Sequence, residues 1–70
     1  MSVWPAVKAR RVLEALQRIG WTIARSRGSH RWLVRPGWRP YTFAFHDGAE
    51  IGPAALSRIA RYTGLKPEDL

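Results

Sequence analysis

His30 follows the pair Gly28-Ser29, and Arg25, Arg27, Arg31, Arg35 and Arg39 surround it within fifteen positions. An imidazole titrates near neutrality, so it can remove the proton of an RNA 2′-hydroxyl or protonate a leaving 5′-oxygen. The arginines supply a positive field that attracts phosphate. A turn-delivered histidine among fixed cations therefore points to a polyanion, RNA first, and to a cleavage that needs no metal ion. Arg25, Arg27 and Arg31 flank the turn and are the natural phosphate contacts, with Ser29 inside it. Trp32 offers a plane for an unpaired base, a contact worth about 1–3 kcal/mol in single-strand binders. His46 is the candidate for a second acid or base.

Each of these residues also has a plainer reading. A histidine beside a turn is commonly a solvated surface residue, and a Gly-Ser-His tripeptide alone identifies no enzyme. His46 precedes Asp47-Gly48, where its role can be to hold a turn. Trp32 can equally cover a partner surface, and any single arginine can be a solvated one.

Composition removes several classes. There is no cysteine, and two histidines sixteen positions apart do not form a zinc motif. Asp47, Glu50, Glu68 and Asp69 suit capping and solubility better than a metal cage. No glycine-rich phosphate loop can be read, so neither a metal nor an organic cofactor is expected. No apolar run approaches the roughly 20 residues of a membrane span, and the N-terminal stretch lacks a signal-type apolar core. A reducing cytoplasm is the simplest compartment. The net charge is +7, with nine Lys/Arg against Glu14 alone in residues 1–46 and three against four acidic residues in 47–70. Such a balance suits nucleic acid, an anionic surface or an acidic protein.

The elements that must position these residues fit one domain over residues 1–70. Val12, Leu13, Leu16 and Ile19 recur at helical spacing, predicting an amphipathic helix over 6–19 that begins near Pro5 and stops at Gly20. Trp21, Ile23 and Arg25 alternate with Thr22, Ala24 and Ser26 as one strand. His30–Arg35 and Tyr41–His46 read as two more, separated by Pro36, Gly37, Trp38, Arg39 and Pro40. Gly52-Pro53 starts a second helix with Leu56, Ile59, Ala60 and Thr63 inward, Gly64-Leu65 ends it in a Schellman-type stop, and 66–70 form a short tail with one helical turn. The fold class is α+β: helix, three-stranded antiparallel meander, helix, with both helices on one sheet face.

A hairpin symmetric about Trp38 places Leu33 opposite Phe43, Arg31 opposite Phe45 and Arg35 opposite Tyr41 on the packed face. The same register sets Trp32 opposite Ala44, Val34 opposite Thr42 and His30 opposite His46 on the free face.

In order and spacing these features resemble the HicA (YcfA-like) family of small bacterial mRNA interferase toxins. The resemblance is carried by Leu16, Gly20 and Trp21, by Gly28-Ser29-His30 with Leu33 and Pro36, by His46, and by Glu50-Ile51-Gly52 leading to Leu56, Ile59, Gly64 and Leu65. It departs at Ala44-Phe45-His46, where members often carry a proline. The resemblance implies a double-stranded-RNA-binding-domain-like fold and a toxin that is a metal-independent endoribonuclease acting on mRNA, with His30 as its catalytic histidine. It further implies a HicB-type antitoxin over the histidine-bearing surface, a toxin monomeric alone, and a larger complex with the antitoxin. A noncatalytic RNA-binding module and a degenerate toxin that binds only a protein are the rival readings.

Overall fold

The computed structural model describes residues 3–70. Its elements are β1 (Val7–Lys8), α1 (Ala9–Arg18), β2 (Thr22–Arg27), β3 (His30–Val34), β4 (Tyr41–Ala44), β5 (Glu50–Ile51), α2 (Pro53–Thr63) and a single 3₁₀ turn (Pro67–Asp69). β2, β3 and β4 form the expected antiparallel meander, and β1 pairs with β5 in a separate two-stranded ribbon.

The ribbon corrects the start of the first helix. Val7 pairs with Ile51 and Lys8 with Glu50, so the chain stays extended to Lys8 and α1 begins only at Ala9. Among the described residues, no side chain caps α1. Its first amides instead donate to the loop after β4, Ala9 N–H to the Ala49 carbonyl at 2.8 Å and Arg10 N–H to that of Asp47 at 3.1 Å. Helix-start amides have no partner within their own helix, so this loop satisfies them as a cap would. Among the described residues, Ala9, Val12, Leu13, Ala15 and Leu16 are the buried stripe of α1. Gly20, at φ 114°, ends it: Gly20 N–H reaches the Gln17 carbonyl and Trp21 N–H that of Leu16, the two bonds of a Schellman motif.

α2 starts at Pro53, where a missing N–H costs no internal bond, and buries Leu56, Ile59 and Thr63. Its end differs from the Schellman expectation. Gly64, at φ 76°, donates to the Ala60 carbonyl in the simpler left-handed cap, while Leu65 N–H turns to the Thr63 hydroxyl oxygen at 3.3 Å. That hydroxyl donates to the Ile59 carbonyl at 2.7 Å. The Thr63 carbonyl accepts the indole N–H of buried Trp21 at 3.0 Å, tying the entry of the sheet to the exit of α2.

The core collects Val12, Leu13 and Leu16 of α1, Trp21, Leu33 and Phe43 of the sheet side, Ile51, and Leu56, Ile59 and Leu65 from the region of α2. Both helices therefore cover one face of the sheet. The 66–70 tail lies against α1, with Arg11 donating to the Leu70 carbonyl at 3.0 Å and Arg18 to that of Asp69 at 2.7 Å. Among the described residues, no helix is long and apolar enough to cross a membrane.

Candidate nucleic-acid interface

The site is built at the β2–β3 turn. Arg27 pairs with His30, so Gly28 and Ser29 are the whole loop. Gly28 has φ 59°, and Ser29 does not share that left-handed conformation, the pattern of a type II′ hairpin. Such a turn matches the twist of the strands it joins, so His30 enters β3 at a fixed position, with its side chain exposed.

Pairing fixes what lies beside it. His30 is opposite Ala44, Arg31 opposite Phe43, Trp32 opposite Thr42 and Leu33 opposite Tyr41. This register is two residues away from the symmetric-loop expectation. An even slip preserves faces: Leu33 and Phe43 remain buried, and His30, Trp32 and Val34 remain on the free face. It does remove the opposition of His30 and His46. β4 ends at Ala44, and His46 lies beyond it, in a turn closed by Ala49 N–H on the His46 carbonyl at 2.9 Å. The backbone of His46, not its imidazole, makes that bond.

The physical reason for the slip is the β3–β4 loop. Trp38 N–H donates to the Arg35 carbonyl at 3.0 Å across Pro36 and Gly37, the latter at φ 84°. Proline followed by a left-handed glycine is a type II turn, which folds the chain early and asymmetrically. Trp38 then packs edge-on to Trp21 with centroids 6.0 Å apart, beneath the Arg35 guanidinium at 5.1 Å. Arg35 is thus out of the strand and away from Tyr41, which stacks on Tyr62 at 6.1 Å instead. Burial raises the Tyr41 phenol above its ordinary value, against a lowering by nearby Arg58 and with a smaller raising contribution from Tyr62.

A second irregularity, invisible to strict alternation, decides which arginines share the face of His30. Ile23 pairs with Leu33 but Arg25 pairs with Trp32, leaving Ala24 as an extra residue in β2. A bulge of this kind resets the alternation and re-aims the side chains that follow. Arg25 and Arg27 consequently stand opposite Trp32 and His30. The Arg25 guanidinium lies 5.2 Å from the centre of the Trp32 ring. A cation held over an aromatic ring keeps N–H groups available to a phosphate. The His30 ring lies 6.1 Å from that of Trp32 with 28° between planes.

Arg31 is separated from this group. It lies on the side of Phe43, with its guanidinium 3.1 Å from Asp47 Oδ1 and 3.4 Å from the Phe45 carbonyl. Its side chain is only 19% exposed. Arg31 thus fastens the loop after β4. Arg39 is exposed in the β3–β4 loop, at the other end of β3 from His30. The structure brings together His30, Arg25, Arg27 and Trp32, with Ser29 in the adjoining turn, and sets Arg31 and His46 apart from them. Among the described residues no cluster of His, Asp and Glu could hold a metal ion. Two clefts, of about 420 and 220 Å³, lie elsewhere, beside Lys8 and Arg10, between α1 and the β5 region.

Comparison with known proteins gives one informative result. The sequence model of the family described as the HicA toxin of bacterial toxin-antitoxin systems matches residues 9–65. Compared with curated proteins, the chain matches none.

Proposed function

Because the chain belongs to the HicA toxin family, a toxin of bacterial toxin-antitoxin systems, we propose that it is an endoribonuclease acting on mRNA through His30. The observation that carries this reading is the placement of an exposed imidazole on the same sheet face as Arg25 and Arg27, across a two-residue turn. RNA carries its own nucleophile. Its 2′-oxygen attacks the adjacent phosphorus as the 2′-hydroxyl proton leaves, the bond from phosphorus to the 5′-oxygen breaks, and that oxygen takes up a proton. His30 performs one of the two proton transfers, a role that an imidazole side chain can fill without a metal ion. Arg25 and Arg27 hold the phosphates on either side and offset the charge that grows on the phosphoryl oxygens. Ser29, in the turn between Arg27 and His30, offers its hydroxyl to the substrate backbone.

Membership in the family implies an antitoxin partner. A HicB-type antitoxin fits this reading, because a chain of net charge +7 with its basic face uncovered suits an acidic partner lying over His30. The test is cleavage of single-stranded mRNA in EDTA by the wild type beside His30→Ala. Cleavage by the wild type alone is expected, with both proteins giving the same circular dichroism. Undiminished cleavage by a folded His30→Ala protein would remove His30 from the chemistry. Retained RNA binding with no cleavage by either would favour a noncatalytic module.

A further inference from the structure

An exposed histidine at the first residue of a strand is free to rotate about both side-chain bonds unless something holds its ring. The neighbours of His30 across the sheet offer little hold: Ala44 presents a methyl group and Arg27 a flexible chain. Among the described residues, Trp32 is the aromatic ring that His30 meets, two positions along the same strand and on the same face. The planes are within 28° and the centroids 6.1 Å apart, inside the range in which aromatic pairs attract. Trp32 is itself half-buried and has the Arg25 guanidinium 5.2 Å from its ring centre. The indole is thus engaged by a cation from β2 and by the imidazole of β3 before any RNA arrives.

We propose that Trp32 is a positioning residue, one that fixes the plane of the His30 imidazole for proton transfer, and that it does not serve as a platform for an RNA base. The proposal rests on the ribonuclease reading of this face. A general acid or base works only within hydrogen-bond reach of its proton, so a ring that selects one imidazole orientation raises the fraction of bound complexes ready to react. Its effect falls on turnover. A base-stacking tryptophan would act on affinity instead, because the stacked base would be lost from the bound state.

The two roles separate in one set of measurements. Trp32→Leu keeps apolar volume on the strand but removes the ring, and Trp32→Phe restores a smaller one. Positioning predicts a fall in kcat of about 3- to 10-fold for Trp32→Leu, the loss of one aromatic pair, with KM near the wild-type value and kcat recovered by Trp32→Phe. In proton NMR, the His30 ring resonances should shift in Trp32→Leu as the indole ring current disappears, whether or not RNA is present. RNA affinity, measured in the His30→Ala background so that no substrate is consumed, should be unchanged by adding Trp32→Leu. A base platform predicts an affinity loss of about 5- to 150-fold there, with kcat retained. That result, or wild-type kcat in a folded Trp32→Leu, would overturn the positioning role while leaving the ribonuclease reading intact. No cleavage by the wild type would overturn both.

Discussion

Replacing each of three arginines by alanine distinguishes the face of the sheet that meets RNA. Arg25 and Arg27 stand opposite Trp32 and His30, whereas Arg31, three residues from the turn's glycine, is bound to Asp47 at 3.1 Å on the other side. Each phosphate contact on a single strand contributes about 0.7 to the slope of log affinity against log salt. Raising salt from about 50 to about 200 mM therefore weakens binding by about 2.6-fold for every contact. Arg25→Ala and Arg27→Ala should each lessen the salt effect by that factor, and the double variant by about 7-fold. Arg31→Ala should leave the slope unchanged. Its cost should be to stability, at most about 1 kcal/mol for an ion pair whose carboxylate side chain is 52% exposed. The assay is fluorescence anisotropy of a labelled single-stranded RNA across a salt series, with His30→Ala present in every protein to prevent cleavage. A flattened slope in Arg31→Ala, or an unchanged one in the Arg25/Arg27 double variant, would refute the assignment of faces.

Other expectations follow from the packing. Gly64→Ala would force a side chain into φ 76° and set its Cβ 2.7 Å from the Trp38 ring, so urea unfolding should show a loss of about 2–4 kcal/mol, shrinking toward the backbone strain alone in a Trp38→Leu background. A loss below about 0.5 kcal/mol would mean that the contact relaxes freely. Tyr41 has a folded-state pKa raised above 10.0, mainly by burial. Its contribution is complete below the unfolded value and is lost as pH rises through the folded one, so stability should fall above about pH 10 and fall less steeply in Tyr41→Phe. Parallel curves would show that Tyr41 ionises equally in both states. His46→Ala should retain kcat within about 3-fold, since its imidazole lies beyond β4, and a loss of about 100-fold would make it the second acid or base.

Much of this arrangement is legible in the residues themselves. The helical spacing of Val12, Leu13 and Leu16, the stops at Gly20 and Gly64, and the Gly28-Ser29 turn all locate elements the structure contains. The faces of β3 were legible because parity survives an even slip, so Leu33 reads inward and His30 and Trp32 outward whichever even register is adopted. The register itself was not. It depends on a type II turn and on Trp38 finding Trp21 and Gly64, contacts between residues far apart in the chain. The bulge at Ala24 had no local signature either, since alternation through Thr22–Arg27 looks regular until β3 pairs with it. Strict alternation put Arg25 with Ile23, and the bulge moved Arg25 and Arg27 to the histidine's face. β1 and β5 are not legible because two residues carry no period and their partners lie more than forty positions apart in the chain.

The most direct test of the account is the chemistry of the cut ends. Single-stranded mRNA incubated in EDTA with the wild type should yield fragments ending in a 2′,3′-cyclic phosphate and beginning with a 5′-hydroxyl, identified by mass spectrometry, and none with folded His30→Ala. Fragments with 3′-hydroxyl and 5′-phosphate ends, or the same cyclic ends from His30→Ala, would contradict a histidine that works on the RNA's own 2′-oxygen.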